Sequence, residues 1–144
     1  MGATVENSWP RGFPLESVMQ GATRGAIIYP LTAISYDLIG VLQFTADHNP
    51  DIDAIHRLTR PLPMNFNYNG GSGGLLSPLH VFTPYNAQAT VHTIHALWAT
   101  LLPTTVPGRV SDIWRGYFAE CLFRDVNLRV AFLPPQVVQD RNEH

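Results

Sequence analysis

Hydrophobic positions first gather between Gly25 and Phe44, where Ile27, Ile28, Tyr29, Ile34, Tyr36, Ile39, Val41 and Phe44 supply β-branched and aromatic side chains. Within that stretch, Leu38-Ile-Gly-Val-Leu-Gln-Phe44 predicts a buried strand. Asn49-Pro50 predicts a turn, with Asp51 as the N-cap of a helix running through Leu58 that Pro61 and Pro63 stop. Leu79 to Phe82 predicts a short strand, and the segment Pro84 to Thr90 leads into a helix that Pro103 ends. Ser111 predicts the cap of a further helix, whose apolar residues Ile113, Trp114, Tyr117, Phe118, Cys121 and Leu122 fall on one stripe. Asn127 can supply its left-handed exit, Leu128 to Phe132 alternates as a strand, and Pro134-Pro135 closes that strand. Alternating strands and helices predict an α/β fold with a mixed sheet and about three helices, in one domain spanning 1–144.

Two segments predict irregular structure. Residues 8–16, with Pro10 and Pro14 among aromatics, run extended, and a short helical turn follows from Leu15 to Gly21. Residues 65–74 end in Gly-Gly-Ser-Gly-Gly and predict a flexible loop.

Composition narrows the function classes. Apolar residues make up 45% of the 144 positions and charged residues 14%, which excludes an intrinsically disordered chain. A net charge of −2 argues against a generic nucleic-acid binder. All nine basic residues are arginine, so neither Schiff-base chemistry nor a P-loop lysine is available. With Cys121 alone, an internal disulfide and a cysteine-rich zinc site are excluded. The longest apolar stretch is broken by Pro30 and Asp37, so it predicts no membrane span.

Most candidate chemistry has a plain structural explanation. Asp51-Ile-Asp53 has the spacing of a metal chelate, but it opens a helix, where carboxylates are favoured by capping and the dipole. His92 and His95 lack the accompanying ligands of a metal motif, and Ser72 sits in a glycine loop rather than on a nucleophile elbow. The segment Gly108-Arg-Val-Ser-Asp-Ile-Trp-Arg-Gly-Tyr117 differs in kind. It groups Arg109, Asp112, Trp114 and Arg115 around a predicted helix start, where a carboxylate would be held ionised by the dipole. Such a carboxylate can take a proton from a sugar hydroxyl, an aromatic ring can cover a sugar face, and arginine can balance phosphate charge. A capped helix with Trp114 as a core anchor is the plainer reading.

This segment resembles the Arg-x-x-Asp-x-Trp-x-Gly-Tyr stretch of STELLO-type proteins, which are Golgi glycosyltransferases of the GT-A type. A more distant resemblance is to the reversibly glycosylated polypeptides, which are UDP-arabinopyranose mutases. Further boxes follow in the same order: Trp9-Pro-Arg-Gly-Phe-Pro-Leu15; Gly40 to Phe44 with Asn49-Pro-Asp-Ile-Asp-Ala-Ile-His-Arg-Leu-Thr59; Pro84-Tyr-Asn-Ala-Gln-Ala-Thr90; and Leu133 to His144. The resemblance implies the acceptor-side, C-terminal part of a GT-A-like fold that transfers a sugar from a nucleotide-sugar donor. It implies Asp112 as the catalytic residue near the acceptor, with Arg109, Trp114, Arg115, Tyr117 and Arg11 binding substrate and His144 as a metal ligand.

The Asp-x-Asp half of such enzymes lies upstream of the matching region, and Asp51-x-Asp53 is not that motif. The isolated chain is therefore expected to be inactive, with a divalent metal (manganese or magnesium) belonging to the complete enzyme. Implied partners are a nucleotide-sugar, an unknown acceptor and a glycan-synthesis complex, with no nucleic acid. The implied location is the Golgi, given an N-terminal membrane anchor. The alternative is a non-catalytic interaction or carbohydrate-binding module on the same scaffold.

Overall fold

The computed structural model describes residues 11–12, 16, 29–30, 35–66 and 74–140. Five strands make one mixed sheet: β1 (Tyr29–Pro30), β2 (Ile39–His48), β3 (Leu75–Leu76), β4 (Thr90–His92) and β5 (Arg129–Gln139), in the order β1-β3-β5-β2-β4. The long strands β2 and β5 run parallel, while β3 and β4 flank them antiparallel. The helical segments whose bounds lie among the described residues are α1 (Ala54–Thr59), α2 (Gly108–Asp125) and two 3-10 segments, Tyr36–Leu38 and Ile94–Thr100. An α/β chain with a mixed sheet is thus what the alternating pattern produces.

A parallel pair needs cover on both faces, and β2 and β5 have apolar residues on each. On one face Val41 and Val130 pack with Tyr85, Ala96, Ala99, Ala119, Phe123 and Leu128, so α2 and the Ile94–Thr100 segment lie there. Ile39, Leu76 and Ala131 form a second cluster with Leu42 packed against it.

Several predicted elements change. The strand at Leu38–Phe44 extends to His48. Strand β5 does not stop at Pro134-Pro135; it continues to Gln139, with a register shift against β2 between Phe44 and Ala46. Prolines are tolerated there because they fall at that shift, between the Phe44–Leu133 and Ala46–Val137 pairs, where β5 gives no ladder donor to β2. The short strand falls at Leu75–Leu76, not at Leu79–Phe82. The helix predicted after Thr90 is a three-residue strand followed by a 3-10 segment. The N-cap of α1 is Asp53, whose Oδ1 accepts the Ile55 N–H at 2.8 Å, so Asp51 is released from that role.

Helix α2 departs furthest from expectation. It begins at Gly108, and Ser111 lies inside it, donating its hydroxyl back to the Gly108 carbonyl at 2.9 Å. Its buried residues are Ser111, Arg115, Gly116, Ala119, Glu120 and Phe123. The apolar stripe is turned outward instead, with Trp114, Phe118 and Leu122 each 49–53% exposed. Gly116 explains the choice of face. A Cβ there would stand 2.8 Å from the Tyr85 carbonyl oxygen, so the helix approaches that backbone more closely than a side chain permits. Asn127, at φ 57°, makes the left-handed exit that its type predicts, and the Leu128 N–H closes back on the Phe123 carbonyl at 2.9 Å.

The expected extended segment 8–16 lies outside the described residues except at Arg11, Gly12 and Glu16, and most of loop 65–74 lies outside them as well.

Candidate active site

Helix α1 begins just after β2 ends, which places Asn49 to Asp53 at the carboxyl end of the parallel pair. In open α/β sheets that end is where ligands bind. Here Arg11 joins three remote parts of the chain. Its Nε donates to both carboxylate oxygens of Asp51, at 3.0 and 2.9 Å. One terminal nitrogen donates to Asp112 Oδ2 at 2.5 Å and the other to the Arg109 carbonyl at 2.7 Å. A planar guanidinium with five fixed N–H groups suits such a three-way bridge, which a lysine ammonium does not. Burial works against the Arg11 charge, but the neighbouring Asp51 and Asp112 carboxylates outweigh it and raise the guanidinium above its ordinary value.

A second network braces the first. The Asp51 N–H donates to Gln88 Oε1 at 2.9 Å. Gln88 lies in a turn knitted by the side chain of Gln43 on β2. That amide donates to the Gln88 carbonyl at 2.8 Å and accepts from the Asn86 N–H at 2.9 Å and the Thr90 hydroxyl at 3.1 Å. On the other side, the Tyr117 hydroxyl donates to the Gly12 carbonyl at 2.8 Å. Gly12 has φ 85°, which turns the chain straight after Arg11. Four of the boxes that carry the family resemblance, around Arg11, Asp51, Gln88 and Asp112, therefore meet at one place. Arg57, from the second box, donates to the Asn49 side chain and the Pro50 carbonyl and fixes the turn between β2 and α1.

The sequence-derived site residues fall into three groups. Arg11 and Asp112 share the bridge, Arg109 contributes its carbonyl, and Tyr117 holds the Gly12 loop. Trp114 stands on the outer face of α2, edge-on to Phe118 with centroids 5.8 Å apart, and not in the bridge. Arg115 is buried on the inner face, its guanidinium 5.5 Å from the centroid of the Tyr85 ring. His144 lies outside the described residues. Asp112 is also not at a helix start. It is the fifth residue of α2, beyond the first turn, so its counter-charge is Arg11 rather than the helix dipole.

A divalent metal does not fit this arrangement. The Arg11 guanidinium already stands between Asp51 and Asp112, and among the described residues no three His, Cys, Asp or Glu side chains come together as a metal cluster.

Two groups missed by the sequence reading are Glu120, further along α2, and Tyr85, which packs against that helix at Gly116. Glu120 is buried, and its Oε2 accepts the Thr83 N–H at 2.7 Å. Burial pushes its carboxyl up to about 7, against the lowering effect of the Thr83 hydrogen bonds. Tyr85 is pushed to about 12 by burial, with Arg115 acting in the opposite direction and Glu120 in the same one. No periodicity marks Glu120, because a glutamate within a helix ordinarily signals solvent.

No protein-family model matches the chain. Two curated proteins of Arabidopsis thaliana do. "Probable glycosyltransferase STELLO2" is 30% identical over 132 residues, covering 90% of this chain and 17% of that protein. "Probable glycosyltransferase STELLO1" is 29% identical over 130 residues, covering 88% of this chain and 16% of that protein. The chain is therefore related, across about nine-tenths of its own length, to a stretch of STELLO-type proteins that makes up about a sixth of theirs.

Proposed function

We propose that this chain is the acceptor-side part of a glycosyltransferase, using a nucleotide-sugar donor. The observation that supports this most is the meeting of Arg11, Asp51, Gln88 and Asp112 at the carboxyl end of the parallel strands, each from a different box of the STELLO resemblance. Arg11 engages Asp112 through Oδ2, which fixes the carboxylate and directs Oδ1 toward an acceptor hydroxyl. Asp112 then accepts that hydroxyl's proton, as a general base, while the hydroxyl oxygen bonds to the donor's anomeric carbon and the bond from that carbon to the diphosphate breaks, so the nucleoside diphosphate leaves. Arg11 is a positioning residue, holding the Asp112 carboxylate by its hydrogen bond to Oδ2. Arg109, exposed and adjoining the bridge through its carbonyl, meets diphosphate charge in this reading. Golgi residence and a manganese or magnesium requirement of the complete enzyme accompany this reading, with no cation assigned to the Arg11 bridge.

The test is Asp112→Asn in a full-length protein carrying this segment, assayed for sugar transfer. Turnover falls by about 10²–10⁴-fold if Asp112 is the base. Unchanged turnover would sink the assignment.

One observation favours a second reading, a non-catalytic interaction module. Trp114, Phe118 and Leu122 form an exposed apolar stripe along α2, a surface that single soluble domains seldom leave uncovered. On this reading Asp112→Asn changes nothing, while Trp114→Ala abolishes partner binding.

A further inference from the structure

Four oxygen atoms converge on the Arg11 side chain: both carboxylate oxygens of Asp51, Oδ2 of Asp112 and the Arg109 carbonyl, at 2.5 to 3.0 Å from its nitrogens. Carboxylates with a backbone carbonyl are the donors that hard divalent cations take. Here the position between them is filled by a cation of the chain itself. Each guanidinium nitrogen has an acceptor, and the group stays charged at any physiological pH.

The seat of Arg11 is built from several sides. Its main-chain N–H also reaches the Asp51 carbonyl, at 3.4 Å, so backbone and side chain are tied to the same residue. Straight after it, Gly12 gives its carbonyl to the Tyr117 hydroxyl on α2. A Cβ at Gly12 would stand 2.5 Å from Ile113 Cγ2, so a side chain there would push Ile113 aside. Asp51 is held in turn by Gln88, and the turn before it by Arg57. A surface arginine that pairs by chance has none of these supports. A divalent cation drawn to the same oxygens would meet the guanidinium at close range, and like charges that near repel strongly away from bulk water.

We propose that Arg11 is the resident cation of this site: its tethered guanidinium takes the place of a divalent metal between Asp51 and Asp112 and keeps one out. The inference concerns this carboxylate pair alone and does not depend on the transfer reaction. A metal that a complete enzyme uses is then bound by other residues.

The test is a magnesium titration of the 144-residue chain, followed by NMR at backbone amides and side-chain carboxyl carbons. Sodium chloride at equal ionic strength is the reference, which removes the effect of screening. In the unaltered chain, Asp51, Arg109 and Asp112 do not respond to magnesium. In Arg11→Met the freed oxygens take it saturably, at about millimolar concentration, with shifts centred on Asp51 and Asp112. Ethylguanidinium, the free counterpart of the lost side chain, competes with magnesium there, and adding Asp112→Asn abolishes the binding. The spectra report whether each variant is folded, and Arg11→Gln serves if Arg11→Met is not. Magnesium binding at Asp51 and Asp112 of the unaltered chain overturns the proposal. So does a folded Arg11 variant that binds none, or binding that ethylguanidinium or Asp112→Asn leaves unchanged. No arm reads turnover, so failure here and failure of the transfer proposal are told apart.

Discussion

Helix α2 carries two groups of charges, and they are built on opposite terms. At its amino-terminal end, Arg11 meets Asp51 and Asp112 with side chains 32%, 14% and 19% exposed, and its guanidinium has an acceptor on each of its three nitrogens. Deeper along the helix, Arg115 and Glu120 are both buried, close enough to act on Tyr85, with Arg115 Nε, one of its terminal nitrogens and Glu120 Oε1 all lacking partners. The first group is a tie that gathers distant parts of the chain and leaves its carboxylates within reach of solvent. The second is a set of desolvated charges that the fold tolerates without fully answering. Paired charge near a surface costs little and can orient a ligand, whereas unpaired charge in a core reduces stability unless something else completes it.

The largest effect expected of this contrast is on pH. The Glu120 carboxyl stands near 7 in the fold, against an ordinary 4.5. The folded chain therefore holds that proton more tightly than the unfolded chain. Its contribution is fully present below pH 4.5, declines as pH rises toward 7, and is lost above that. The span is about 3 kcal/mol, from 1.36 kcal/mol per pKa unit. Urea unfolding at pH 4.5 and pH 8 measures it, and Glu120→Gln removes the Glu120 share of that difference. His92 acts with the opposite sign: burial and Arg115 lower its value, so its contribution is lost as pH falls. The comparison with Glu120→Gln at both pH values cancels that term.

Next in size is Gly116→Ala. The new methyl would press on the Tyr85 carbonyl, which as backbone cannot swing away, and overpacking of this kind costs about 1–3 kcal/mol. Thermal melts check it. A neutral outcome would mean that α2 is not seated as described.

The smallest effect belongs to Trp114→Ala, which changes stability by no more than about 0.5 kcal/mol because the ring is half exposed. A loss of several kcal/mol would mean that the outward stripe is in fact covered within the chain.

How these regions relate to the sequence is instructive. The central strand, the stop at Pro61 and Pro63 and the exit at Asn127 follow from local rules, because each rests on side-chain type at one place. Asp112 was visible within its box. Arg11 is legible within its own box too, but the pairing of the two is not, since Arg11 lies 101 residues away in sequence and the Asp51 that it also binds is 40 residues off. Asp51 reads locally as a helix cap, but Asp53 holds that position. The inner face of α2 was misread for a different reason. Periodicity finds the apolar stripe, yet the small residues Gly116 and Ala119 and the complementary shape of Tyr85 decide which face goes inward. Small side chains carry no hydrophobic signal, so that face is silent in the sequence.

The account stands or falls on the tie between Arg11 and Asp112. A double-mutant cycle with Arg11→Met, Asp112→Asn and the pair, followed by urea unfolding, measures it directly. The structure predicts a coupling of about 1–3 kcal/mol, the range for a hydrogen bond to a charged group. A coupling within about 0.3 kcal/mol of zero, the scatter of independent sites, would contradict the site as described.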